Sequence, residues 1–422
     1  MPKDNLPLPC LVWIGARDVL ECVTLSQDDN TILTADGGRL QFALTPKLLT
    51  NQSYYDRSTT RFFRNRPLRI RGNITKQDGV PSVVARTIWP EDYRIEEGAL
   101  TLQPLRRGET LASLVEEENG GAESAFFARL LWERHSGEPR RWADRPVLGL
   151  LLSGAQADDD DAHAGHFTVV TGRVGPRGEC AAWMVNNFYN LDEESEKGIL
   201  PARVPLDNYL MDLNSGQAYY RPNYLLVAVL RQDRAARRFQ EAVEEIYARL
   251  YRHDFEYHNA AANCTGLSLD ILRAIGWAIP RQGRTSYLKG IAAFLYLSAR
   301  DRSVVAAKKI FDYHTEELTR LLPRVAFEAA GHDLLRILSG PMEPADRRLT
   351  AYERILQEDV EAVIFVRVPQ NPSSRAFGTY PVSTLDEYRR RMPTDRSQWK
   401  RIPLKPRPFP HALRDGSLSV KI

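Results

Sequence analysis

"NAAANCTGLSLDILRAIGW", residues 259–277, reads as an amphipathic helix whose first turn carries a cysteine. Asn263 is a preferred helix N-cap, and the run from Leu267 to Trp277 supplies apolar residues at helical spacing. A thiol attacks as its thiolate, and a helix N-terminus favours that anion because unpaired backbone amides and the helix dipole face it. The same amides can hold the oxyanion of a tetrahedral intermediate. Cys264 is therefore the candidate nucleophile, and the chain must supply a base and a group that orients the base.

Among eight histidines, His166 stands out because it opens the strand "GHFTVVTGRV" (165–174), where Gly165 permits close approach of another backbone. The strand runs into "GPRG" (175–178) and returns as "ECAAWMVNNFY" (179–189), a hairpin pattern. A tight turn from Gly175 to Gly178 places Asn187 across from His166 with both side chains on one face. A slip of one residue substitutes Asn186 and changes the face. The orienting group is thus Asn187 or Asn186.

Bulk properties narrow the class. The 422 residues allow two or three domains, and 43% hydrophobic with 26% charged residues is ordinary for a globular chain. A net charge of +3 is too small to imply nucleic acid, so any basic surface must be local. Cys10, Cys22, Cys180 and Cys264 lie far apart without a CxxC pair, which gives neither a zinc signature nor a disulfide framework. Pro7, Pro9 and Asp4 break the pattern of a signal peptide, and "GIAAFLYLSA" (290–299) is about half the length of a membrane span. A cytoplasmic protein with reduced thiols, no metal and no organic cofactor is expected.

Residues 1–98 form the first unit. Short strand-like runs such as "DVLECVTL", "RLQFAL", "PLRIRGNI" and "PSVVARTIW" are separated by turn signals and predict a small β-barrel of the oligonucleotide-binding type. Residues 99–122 read as a linker. Residues 123–282 read as the unit carrying Cys264. It opens with a helix at "ESAFFARLLWERH" (123–135) and continues through strands at "VLGLLLSG", His166 and "NYLLVAVLR" and a long helix at 234–254. A helical extension over 283–345 follows. Residues 346–422 hold a late strand, "DVEAVIFVRVPQ", and a basic, proline-rich end.

The order of a strand-leading Gly165-His166, Tyr257, and Asn263-Cys264-Thr265 at a helix start resembles the circularly permuted branch of the papain-like superfamily. That branch includes permuted relatives of the NlpC-type peptidases, the lecithin–retinol acyltransferase group and an uncharacterised bacterial family with the same motifs. "LDNYLMDLNSGQAYYRPNYLLVAVL" (206–230), with Tyr220, Arg221 and Tyr224, resembles that family's middle segment. The resemblance covers roughly residues 145 to 280. It implies an α+β fold, an antiparallel sheet packed on the cysteine-bearing helix. It also implies Cys264 as nucleophile, His166 as base and Asn187 as orienting group, acting on amide, thioester or ester carbonyls. Asn263, Thr265, Tyr257 and Asn186 are accessory candidates. Many members orient the base with a second histidine, and many are exported; this chain offers an asparagine and shows no leader.

Other clusters carry less chemistry. Four consecutive aspartates, Asp158–Asp161, repel one another and with His163 read as a solvated loop rather than a metal site. His253 and His258 lack HExxH spacing. "YYDRSTTRFFRNRPLRIRG" (54–72) carries six arginines interleaved with Tyr54, Tyr55, Phe62 and Phe63. It reads either as a charged strand edge or as a polyanion contact through Arg57, Arg61, Arg64 and Arg66. Two functions follow. One is a thiol hydrolase cleaving a peptide or amide, or transferring an acyl group. The other is an inactive scaffold whose barrel binds a polyanion or protein partner.

Overall fold

The computed structural model describes residues 16–28, 30–44, 55–95, 106–116, 126–136, 141–154, 165–188, 202–213, 222–251, 263–283, 286–340, 348–369, 371 and 395. The chain is mixed α+β, with a closed barrel and a separate sheet that carries the helices. The barrel comprises β1 (Asp18–Leu25), β2 (Thr31–Leu33), β3 (Arg39–Leu44), helix α1 (Arg57–Phe63), β4 (Leu68–Gln77) and β5 (Val80–Pro90). Its strands run in the order β1-β2-β3-β5-β4, with β4 closing on β1 and only the β3–β5 pair parallel. Asp56 caps α1 by accepting from the Ser58 and Thr59 amides, which turns Phe63 into the barrel core beside Ile70, Val83 and Ile88.

The second unit begins with α2 (Leu111–Glu116), β6 (Phe127–Glu133), β7 (Pro146–Ser153), β8 (His166–Arg173), β9 (Met184–Asn187), β10 (Ala202–Pro205), α3 (Leu206–Met211) and β11 (Asn223–Leu230). Next come α4 (Arg234–Tyr251), α5 (Cys264–Ala274), α6 (Tyr287–Asp301), α7 (Val304–Thr315), α8 (Leu318–Leu321), α9 (Pro323–Leu338), α10 (Ala351–Asp359) and β12 (Val360–Val368). Seven antiparallel strands form one sheet in the order β10-β9-β8-β7-β11-β12-β6. Leu150, Phe167 and Leu226 point to a core shared with α2, α4, α5, α9 and α10. Leu151, Val170 and Val227 point the other way, to α3 and to Trp89 and Tyr93 from the barrel end. Both faces are covered, which is why β7 and β11 are buried along their whole length and read as unbroken apolar runs.

Four expectations change. The segment expected as a helix, 123–135, holds strand β6 instead. Apolar residues fall on both of its covered faces, and a bulge at Leu131, between the pairs Leu130–Ile364 and Trp132–Val363, disrupts its alternation. The linker expected over 99–122 contains α2, whose Leu111, Leu114 and Val115 sit in the helix-side core at helical spacing. The sheet crosses the boundary drawn at residue 282: β12, from the segment set apart as 346–422, lies between β11 and β6. The hairpin register differs by two residues from the tight-turn pattern. Val169 pairs with Asn186, because a second turn at Cys180–Trp183 follows the Gly175–Gly178 turn. The strand-like run "CLVWIGA" (10–16), apart from Ala16, and the basic end at 396–422 lie outside the described residues.

The two units are clasped by charge. Asp207 of α3 has no exposed surface, and its carboxylate accepts from the buried Arg71 guanidinium at 3.0–3.2 Å and from Arg69 at 3.3 Å. Asp212 pairs with Arg86 at 2.7 Å, and Leu213 enters the barrel core. Removing one member of a buried pair strands the other charge without water. Asp207→Ala should therefore cost about 3–5 kcal/mol, read as a lowered urea midpoint, while replacing both Asp207 and Arg71 with leucine and methionine should restore most of the loss.

Candidate active site

Asn263 caps α5 as its sequence implies: backbone φ −87°, ψ 175°, with Oδ1 accepting from the Gly266 amide at 2.7 Å. Cys264 is the first helical residue, so its own amide is among those without an intrahelical partner. Leu267, Leu269, Ile271 and Leu272 bury the inner face of α5 in the helix-side core, and α5 packs along β8. That packing sets the sulfur at the N-terminal end of β8. Gly165, with φ +83°, lets the chain swing into the strand there.

Three groups meet the sulfur. The His166 imidazole is within hydrogen-bond reach, the Phe167 amide donates to it, and the Thr265 hydroxyl lies at 3.8 Å. Burial pushes the thiol up, but the charge and hydrogen bond of His166, with the Phe167 amide and the Thr265 hydroxyl, outweigh it and bring the thiol down to about 6. The contrast with the other described thiols is sharp. Burial pushes Cys180 up to about 12, and a hydrogen bond to Glu91, with some burial, raises Cys22. Cys264 keeps 9% of its residue surface exposed, whereas Cys180 keeps 3%.

Asn187 contacts the imidazole: its Oδ1 lies 3.2 Å from His166 Nε2. It is not the direct cross-strand partner of His166, as the tight-turn register had it. A shift of two residues keeps the face of a strand, so Asn187 still lies on the side of the sheet to which His166 points. Asn186 points the other way. Its Nδ2 donates to the Val169 carbonyl at 3.0 Å and its Oδ1 accepts from Gln240 of α4 at 3.3 Å, so it ties β9 to its neighbours rather than to the histidine. Both asparagines are fully buried, and the Asn187 Nδ2 has no hydrogen-bond partner among the described residues.

The sequence reading passed over the layer behind His166. Ser153, the last residue of β7, is its cross-strand partner, and the Ser153 hydroxyl lies 3.1 Å from the Tyr209 hydroxyl. The Tyr209 ring, from α3, stands 6.1 Å from the imidazole at a 40° tilt and walls it on the barrel side. The polar ending of the apolar run "VLGLLLS" was the available signal for Ser153; Tyr209 had none, because only the packing of α3 brings it here. Tyr224 is a core residue of β11, its ring 6.1 Å from that of Phe365. Tyr220, Arg221, Tyr257, His253, His258 and the Asp158–His163 loop lie outside the described residues.

The basic stretch of the barrel is largely engaged. Arg66 pairs with Asp92 at 2.6 Å and lies over the rings of Phe62 and Tyr93, Arg69 and Arg71 serve the clasp, and Arg64 is half-buried. Phe63 is core, and Tyr55 packs against Phe42 at 5.8 Å. Arg57 and Arg61 on α1 remain exposed, without the rings that would stack on bases. Tyr54 lies outside the described residues. Among the described residues no three His, Cys, Asp or Glu side chains gather as a metal set, and no helix is long and apolar enough to cross a membrane. No protein-family model, curated protein or solved structure matches this chain.

Proposed function

We propose that this chain is a papain-like thiol enzyme that opens an amide or peptide bond through an acyl-enzyme on Cys264. The observation that supports the reading is the contact of one sulfur with an imidazole whose Nε2 lies 3.2 Å from the Asn187 Oδ1. An Nε2–H that donates to the Asn187 Oδ1 leaves Nδ1 as the nitrogen facing sulfur. The thiolate attacks the carbonyl carbon and forms a C–S bond. The oxyanion falls beside the Cys264 amide at the start of α5. Collapse breaks the C–N bond as the imidazolium gives its proton to the leaving amine. Water then attacks the thioester, His166 takes a proton from it, and the acid leaves with Cys264 restored as thiolate. An acceptor alcohol or amine in place of water makes the same site an acyltransferase. The resemblance of Gly165-His166 and Asn263-Cys264-Thr265 to the permuted papain-like branch supports the same chemistry.

Alkylation by iodoacetamide, read peptide by peptide in a mass spectrometer, tests the thiol. A pKa near 6 means that the anion is present above that pH, so labelling of Cys264 should rise through about pH 6 and then level, while Cys180 stays inert. His166→Ala removes the two largest lowering influences and leaves burial, so labelling at pH 7 should drop and its midpoint move to alkaline pH. An unchanged profile in that variant sinks the pairing.

Activity on a panel of chromogenic amides and esters tests the chemistry. Cys264→Ala should abolish turnover, and His166→Ala should lower kcat by about 10²–10⁴-fold. Asn187→Ala should narrow the pH range of kcat with little change in KM. Turnover that survives Cys264→Ala would remove the proposal.

A further inference from the structure

The helical hairpin of α6 and α7 is built with two apolar sides. Its inner seam is packed: Gly290 abuts Phe311, the Phe294 and Phe311 rings meet edge-on at 6.2 Å, and Ala307 is fully buried. The opposite side of α6 faces solvent with Leu288, Ile291, Ala292, Leu295, Tyr296 and Ala299, and the half-exposed Tyr287 lies between it and the seam, its ring 6.5 Å from that of Phe311. At 3.6 residues per turn the six fall on one arc of less than half the helix circumference, and Lys289 and Arg300 lie along its border. Leu288 is 82% exposed, Leu295 63% and, at the start of α7, Val305 70%. A soluble face of a two-helix hairpin has no reason to keep large aliphatic side chains in water at this density.

We infer that this hairpin is a docking surface for an anionic membrane, lying in the lipid interface with the α6 arc inserted. Charge decides between occupants. The hairpin carries Lys289, Arg300, Arg302, Lys308 and Lys309 against Asp301 and Asp312, a net of +3. Arg300 pairs with Asp301 and Lys308 with Asp312, which leaves Lys289, Arg302 and Lys309 without an acidic partner among the described residues. A second copy of the chain would bring an identical basic border against this one, which repels. An anionic headgroup layer attracts the same border while its acyl region takes the leucines, the combination found in interfacial helices. Tyr287 and Tyr296 fit the boundary between the two, and Arg300 already lies over the Tyr296 ring at 5.5 Å. With 15 residues α6 is too short to span, so the hairpin lies on the membrane rather than crossing it.

The test is co-sedimentation of the full chain with vesicles of phosphatidylcholine alone and of phosphatidylcholine with phosphatidylglycerol. Sedimentation with the anionic vesicles, released by added salt, is expected. Leu288→Asp with Leu295→Asp alters only exposed side chains, so the circular dichroism and Cys264 labelling should stay as in the parent while partition weakens about tenfold or more. Failure of the parent chain to sediment with anionic vesicles overturns the inference, as does equal binding to neutral vesicles or unimpaired binding by the double variant. Lipid-free light scattering showing a dimer that the double variant dissolves would assign the face to a second copy and overturn it too.

Discussion

A sheet covered on both faces excludes water along its middle, and this constraint governs where chemistry can occur. β7 and β11 are paired on both sides and β8 is paired with β7 along its whole length, and the side chains of the three strands form two dry cores. Polar side chains that must move protons can be placed only where the strands end. His166 is the first residue of β8, Ser153 the last of β7, and Asn187 the last of β9. The start of α5 is pressed against that same edge by the apolar side of the helix. Burial of Leu269 and Leu272 is thus what holds the sulfur to the imidazole, since those side chains set where the helix begins relative to the strand.

The low pKa at Cys264 follows from the same geometry. Burial alone would make this thiol as inert as Cys180. What reverses the sign is the imidazole and strand amide that the end of β8 supplies, together with the Thr265 hydroxyl on α5 itself. The Phe167 amide can reach the sulfur because the β8–β9 ladder pairs only Val169–Thr171 and stops short of it. The Tyr209 ring stands beside the imidazole at 6.1 Å, and its hydroxyl meets that of Ser153, the cross-strand neighbour of His166.

Local reading recovered the parts whose signals are local. The Asn263 cap and the periodicity behind it define α5 within one turn, the apolar runs define β7, β8 and β11, and turn residues delimit the strands of the closed barrel. It failed where a segment is covered on two sides. Apolar residues at 126–132 meet both cores and are interrupted by a bulge, so neither a period of two nor one of 3.6 describes them honestly. The hairpin from β8 to β9 carried an extra turn at Cys180–Trp183 that no residue type announces. The error was even, so the face of Asn187 survived it while its opposite residue changed.

The sequence by itself determined which residue types sit at helix and strand starts, because capping, dihedral preference and apolar spacing act within a few neighbours. It singled out Cys264, His166 and the Asn186–Asn187 pair on those grounds. Only the tertiary structure decided that Asn187 holds the imidazole while Asn186 turns to α4, that Tyr209 and Ser153 back the ring, and that β12 sits in the middle of the sheet. It also decided that one side of α6 has no covering element among the described residues. These depend on register and on which elements pack together, and such relations arise from the summed burial of side chains far apart in the chain rather than from any one stretch of it.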